Sequence, residues 1–424
     1  MNESELQKAI NFCKKFYKER KYSEFELHLL RFLENFPNDI SLLMLLADNY
    51  RNLNNFQAAE ETYLKLIKLN PNEVTFYAVY GELLYYVKLH QKALEIYDIG
   101  LSKNNNHALC LFGKAQTLNV LGKVTEAINN LNRAIAVEPK FENALKLLGS
   151  IYKSQGSYRE ALNYFDRIEG FNKERLECLY FLDEKDQFYI LLNKYIDESK
   201  RKHRVSLASL STHASVRYNK KDEVNFCKKP FEYIYQNNLI KNQKLDDLYM
   251  DNFIKKIKQS KLVFRKQELI KNASQTQGNI LSDNNMDLDM SHFVQLIDEE
   301  LKIYLNKFQS NELIIKEFPY DYDLNAWFLI MDNKGYVKPH IHERGWISGS
   351  IYLNIPPKGH LNEGNIKFSY HNDIYPSEGK LFPEKILDLE TGDIVLFPSS
   401  LFHSTVPILS NEERVVLAFD IMPK

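Results

Sequence analysis

Cysteine is scarce in this chain. Cys13, Cys110, Cys178 and Cys227 are the four among 424 residues, widely spaced and with no CxxC pair. That spacing suits neither a zinc site nor a disulfide framework, and it predicts reduced, mostly buried thiols in a cytoplasmic protein. Three of the four fall in helical or linker segments, where a small hydrophobe is enough. An excess of one charge is also missing, since 55 Lys and Arg face 56 Asp and Glu for a formal charge of −1. Nucleic-acid and membrane-surface binders carry a basic excess, so neither partner is expected. No apolar run approaches the ~20 residues that span a bilayer. The opening MNESELQKAINFCKKFYKER has no apolar core or small-residue cleavage site, and so does not read as a secretory signal.

What is present is regular. The length predicts two or three domains. Ala59, Ala93, Ala127 and Ala161 recur every 34 residues, each followed four residues later by Tyr63, Tyr97, Leu131 or Phe165. Twelve residues before each alanine stands Ala47, Gly81, Ala115 or Gly149, and Pro37, Pro71 and Pro139 keep the same phase, with Asn105 in the vacant proline slot. This is the tetratricopeptide period of a helix-turn-helix unit. Small residues let paired helices approach, the bulky partner fills the same face, and proline stops the second helix. Cys13, Phe25 and Leu29 give a weaker first unit, for about five repeats over residues 1–170. RLECLYFLDEKDQFYILLNKYIDESKRK keeps helical spacing but loses the signature, so residues 171–219 are predicted as capping and linker helices. A concave solenoid face suits a protein or peptide partner; oligomeric state is left open.

From 220 to about 312 the chain is mixed. LDDLYMDNFIKKIKQS and MDLDMSHFVQLIDEELKIYLNKF predict amphipathic helices, and the polar NASQTQGNILSDNN between them predicts a loop. The acids between Asp283 and Asp289 read as a solvated helix start.

After Leu313 the pattern turns to β. LIIKEF, NAWFLIM, GYVKPHIH, GWISGSIYLNIP, GNIKFSY, GDIVLFP and RVVLAFDIM are short, Val/Ile/aromatic-rich and separated by Gly, Pro and Asn. They predict a small barrel or jelly roll over about 312–424. On a strand, residues i and i+2 share a face, so His340 and His342 can enter one pocket. His403 follows GDIVLFPSSLF, and Arg414 opens the last segment. Trp327, Tyr336, Trp346 and Ser348 are pocket candidates, with barrel core as the plainer reading of each aromatic. His360 and His371 sit in polar stretches and are predicted at the surface.

KPHIHERGWISGSIYLN, GDIVLFPSSLFHSTVP and ERVVLAFDI, together with NFCKKPFEYI, SQTQGNI and NAWFLIM, resemble a bacterial family of 2-oxoglutarate/Fe(II) oxygenases that often follow tetratricopeptide repeats. The resemblance covers residues 220–424. It implies a two-domain architecture: an all-α solenoid and a prolyl-hydroxylase-like double-stranded β-helix. It also implies Fe(II), 2-oxoglutarate as cosubstrate, O2, and hydroxylation of a protein or peptide side chain recruited by the repeats. By that likeness His340 and His403 are metal ligands, Arg414 anchors the distal carboxylate of 2-oxoglutarate, and Tyr352 is a second donor to it. The usual HxD/E carboxylate is replaced by His342, which adds one positive charge. His342 completes a three-histidine site, or orients substrate beside a two-histidine site, or yields to Glu343. Two other functions compete: a non-catalytic repeat scaffold with a degenerate barrel, and a three-histidine dioxygenase that does not use 2-oxoglutarate. A buried guanidinium at Arg414 has no purpose in a scaffold.

Overall fold

The computed structural model describes residues 19, 21–170, 172–198, 204–223, 225–281 and 288–424. Cys13, the first helix of the first expected repeat, and most of the acidic stretch from Asp283 lie outside them. The contacts divide the chain into Met1–Cys178 and Leu179–Lys424.

The first unit is a run of helices: α1 (Tyr22–Asn35), α2 (Ile40–Asn52), α3 (Phe56–Leu69), α4 (Val74–Tyr86), α5 (His90–Lys103), α6 (Ala108–Val120), α7 (Val124–Val137), α8 (Glu142–Ser154) and α9 (Tyr158–Phe165). They form four complete helical pairs preceded by α1, whose Phe25 and Leu29 are fully buried. The period-34 residues are the core: Ala47, Ala59, Ala93, Ala115, Ala127 and Ala161 have no exposed surface. The glycines are there for closeness. A Cβ on Gly81 would lie 2.5 Å from the Tyr97 ring, and one on Gly149 would lie 2.7 Å from Phe165. A Cβ on Gly113, in the next unit, would lie 2.4 Å from the same Tyr97 ring. Each large ring therefore occupies space that a small residue leaves.

The proline phase has a second use. Lys65 Nζ donates to Pro37 O at 2.5 Å, Arg133 to Asn105 O at 2.6 Å and Arg167 to Pro139 O at 2.8 Å, always across 28 residues. Where that position is Ile99, the Tyr77 hydroxyl takes the Pro71 carbonyl instead, at 2.9 Å. Asn105 thus preserves the hydrogen bond while replacing the proline.

The second unit begins within α10 (Asn172–Phe181), followed by α11 (Lys185–Glu198) and α12 (Arg204–Arg217). Further helices are α13 (Asp247–Gln259), α14 (Ser291–Lys307) and the single turn α15 (Leu313–Lys316). Its strands are β1 (Tyr235–Asn238), β2 (Phe264–Arg265), β3 (Ile270–Thr276), β4 (Tyr322–Val337), β5 (Ile347–Asn354), β6 (Ile366–Ser369), β7 (Glu384–Leu387), β8 (Asp393–Pro398), β9 (Phe402–Thr405) and β10 (Arg414–Pro423). They make an antiparallel seven-stranded sheet, β1-β8-β5-β10-β4-β3-β2, and a three-stranded sheet, β7-β6-β9. The fold class is an all-α repeat solenoid followed by an antiparallel jelly roll.

Alternation along the large sheet gives its two faces opposite chemistry. Phe328, Ile351, Leu396, Leu417, Phe419 and Ile421 join one core with Phe253 of α13 and Phe293, Leu296 and Tyr304 of α14. The other face turns Leu329, Met331, Tyr352, Val395, Phe397 and Val416 toward Phe368 of the small sheet.

Two sequence expectations of local structure fail here. LIIKEF forms α15 rather than a strand; buried Ile314 and its carbonyl, which accepts from Trp346 Nε1 at 2.8 Å, fix that turn beneath the sheet. The first five residues of the expected loop NASQTQGNILSDNN belong to β3, because backbone pairing with β4 outweighs their polar composition.

His371 is half-buried rather than superficial. Its Nδ1 lies 2.8 Å from His213 Nε2 of α12, and His213 Nδ1 lies 2.6 Å from the Tyr180 hydroxyl. The ring of Phe382 stacks on both imidazoles. A polar-looking segment is covered because α12 packs on it, with buried Arg217 paired to Glu378. Cys110, Cys178 and Cys227 are buried free thiols, and burial pushes Cys110 and Cys178 up to about 12. No described helix is long and apolar enough to cross a membrane.

Candidate metal centre

His340 is not in a regular strand. Pro339 has no N–H to give, which ends the ladder after Val337, and His340 makes one isolated bridge with His403 of β9. The two backbones exchange hydrogen bonds of 3.1 and 3.0 Å, and two residues on His342 N donates to Ser399 O. The extended backbone still keeps i and i+2 on one side. His340 Nε2 lies 3.1 Å from His342 Nε2, and the His403 ring centroid is 4.3 and 4.8 Å from those of His340 and His342. One ligand atom from each histidine falls within 4.8 Å of the others, close enough to converge on a single ion with small side-chain adjustment.

The other ring nitrogens are engaged. His340 Nδ1 is 2.9 Å from Lys338 O and His403 Nδ1 is 3.1 Å from Leu401 O. A carbonyl only accepts, so Nδ1 carries the proton in both and Nε2 presents its lone pair. His342 Nδ1 is held by Asp420 Oδ1 at 2.6 Å. Burial and the neighbouring imidazole push His340 down to about 4, and burial holds His403 well below the usual histidine range. Neutral, tautomer-fixed imidazoles form a donor set for a transition-metal ion.

These histidines line a cavity of about 450 Å³ that also contains Trp327, Leu329, Val337, Tyr352, Arg414, Val416 and Asp420, with Gln267, Glu343 and Arg344 around it. Parity explains the membership: Arg414, Val416, Ala418, Asp420 and Met422 of β10 all face inward. Arg414 is 3% exposed. Its guanidinium stands 5.0 Å from the Tyr352 ring centroid and donates to Met331 Sδ at 3.4 Å, while its Nε has no hydrogen-bond partner. Among the described residues no acid is paired with it. A buried cation with an unsatisfied donor fits an anionic ligand.

The sequence candidates divide. Trp327 lines the cavity, with its ring 5.4 Å from His342. Ser348 is fully buried behind His342 at 3.1 Å. Of the four pocket candidates, Ser348, Tyr336 and Trp346 do not line the cavity, a correction to the pocket expectation. On β4 the inward parity is 327, 329, 331 and 337, so Tyr336 turns away. Trp346 is buried in the helix-side core against Phe226. Glu343 is exposed and His360 is exposed. Asp420 was missed, although it stands an even number of residues after Arg414 on the same strand and therefore shares its face.

Residues 325–420 match the family described as "Putative 2OG-Fe(II) oxygenase", and 40–73 and 112–173 match tetratricopeptide repeats. The chain therefore carries tetratricopeptide repeats and a C-terminal domain of that oxygenase family. It is also similar to anaphase-promoting complex subunit 3 of Schizosaccharomyces pombe, 28% identical over 107 residues. That similarity covers 25% of this chain and spans only 16% of that protein's length. Among solved structures it resembles a tetratricopeptide repeat protein from Parabacteroides merdae, at 18% identity over 52% of this chain and 91% of the other, with a TM-score of 0.38. A thermophilic TPR protein of Thermus thermophilus is 22% identical over 44% of this chain and 98% of the other, with a TM-score of 0.34.

Proposed function

We propose that the barrel is an Fe(II)/2-oxoglutarate-dependent dioxygenase that hydroxylates a protein or peptide side chain recruited by the repeats. One observation carries the reading: three converging imidazoles share a cavity with a buried arginine that, among the described residues, is paired with no acid and has an unsatisfied Nε. His340, His342 and His403 hold the metal through Nε2. Arg414 offers a fixed fork to the distal carboxylate of 2-oxoglutarate, and the Tyr352 hydroxyl is the second donor. The apolar walls, Leu329, Val337 and Val416, keep water from the cosubstrate and strengthen that ion pair. Trp327 stands beside His342 where a substrate C–H bond is presented. Fe(II) held by the three histidines would let O2 oxidise both partners, one oxygen atom converting the substrate C–H into C–OH and the other entering succinate as 2-oxoglutarate loses CO2.

The test is anaerobic reconstitution with Fe(II) followed by 2-oxoglutarate titration, read from the weak visible charge-transfer band. The wild type gives the band, Arg414→Ala loses it while retaining iron, and His342→Ala loses it if all three histidines ligate. A wild type that retains no iron and shows no band overturns the enzyme reading and leaves a repeat scaffold. Iron retention without any response to 2-oxoglutarate assigns the site to a three-histidine dioxygenase.

A further inference from the structure

We propose that Asp420 is a positioning residue for the metal centre, supplying through His342 the negative charge that the ligand shell itself lacks. The proposal rests on the histidines being metal ligands. Three imidazoles bring a metal ion no negative charge, and the nearby Arg414 guanidinium adds a positive one, so the buried carboxylate of Asp420 stands out beside the ligand set.

The geometry is that of a carboxylate–histidine–metal triad. Asp420 Oδ1 receives the His342 Nδ1–H at 2.6 Å and the Ser348 hydroxyl at 2.6 Å. Ser348 Oγ lies 2.7 Å from Ser399 Oγ, so the carboxylate is fixed in a buried hydroxyl network. Ser348 and Asp420 are cross-strand partners of β5 and β10, which sets that contact by register. Asp420 is 6% exposed, and among the described residues no Lys or Arg is paired with it. A buried carboxylate with no Lys or Arg beside it is costly, and the cost has a use. The short charged hydrogen bond fixes the tautomer and raises the basicity of Nε2.

A separate constraint points to the same network. A Cβ on Gly345 would lie 2.5 Å from Ser399 Oγ and 3.1 Å from Asp420 Oδ1. The glycine after the HxH segment leaves room for the acid and its serine. The carboxylate absent from the HxD/E position has moved one shell outward.

The test uses the full chain without iron and Co(II) as probe, titrated anaerobically and followed by visible d–d absorption, so that turnover plays no part. Asp420→Asn retains an acceptor oxygen and removes only the charge. It should weaken Co(II) binding about 10–100-fold, and the bands of the saturated complex should shift. Asp420→Ala, which also removes the acceptor, should be weaker still. Wild-type affinity in Asp420→Asn overturns the proposal, as does a loss with unchanged bands at saturation, which marks a merely structural role. A wild type that binds no Co(II) overturns the metal centre itself, and this proposal with it.

Discussion

The repeat unit and the barrel unit spend their interiors differently. In the repeats, the inward residues are leucines, small residues and large rings that fit one another, and exposed polar side chains finish the turns. In the barrel unit, one face of the large sheet packs on helices, while the cavity on its other side brings His340, His342 and His403 together with the arginine and aspartate of β10. The comparison teaches that the first interior is built for packing alone and the second gives up packing for chemistry.

The largest effect should come from breaking a small–large fit. Phe165→Ala removes a fully buried ring and should destabilise the repeats by about 3–5 kcal/mol. Urea unfolding followed by helical circular dichroism should shift, while tryptophan fluorescence should not, because Trp327 and Trp346 both lie in the barrel unit. A shift in both probes would break the separation.

Acid should do the reverse. His340, pushed to about 4, His403, well below its usual range, and His213, pushed to about 3 by burial, His371 and Arg217, are neutral when folded. Their folded pKa values are depressed, so their stabilisation is present above the unfolded value near 6.5 and is lost as pH falls toward 4 and below. The fluorescence midpoint of the metal-free protein should drop between pH 7 and 5 by up to about 1.4 kcal/mol per pH unit for each histidine. His213→Gln should flatten the slope, and a flat wild-type profile would refute the account.

Arg414→Met sharpens the contrast further. It removes a buried charge that has no acidic partner among the described residues, and should raise the apoprotein's stability by about 1–2 kcal/mol while abolishing the 2-oxoglutarate response. A destabilised variant would mean that the guanidinium is structural. The smallest change belongs to the repeat turns: Arg133→Ala or Arg167→Ala should cost about 0.5 kcal/mol or less, since those hydrogen bonds are exposed. Denaturation midpoints check both.

The repeats were legible because their contacts are local. A period of 34 puts the small and large residues of one unit against each other without reference to distant sequence. The barrel was legible in its segments and in the order of His340, His342, His403 and Arg414. It was less legible in which way each residue points. LIIKEF has a strand's composition and is a helical turn. Tyr336 looks like a pocket aromatic, yet its parity turns it away. His371 looks superficial until α12 covers it.

By itself the sequence determined the solenoid, the jelly-roll class and the set of candidate ligands, because periodicity and residue chemistry are properties of the chain. The tertiary structure alone decided that His340 bridges to His403, that Trp346 joins the helix-side core, and that Asp420 stands behind His342. Those facts depend on strand register, which is set between segments about 60 to 100 residues apart by antiparallel pairing that no short segment encodes.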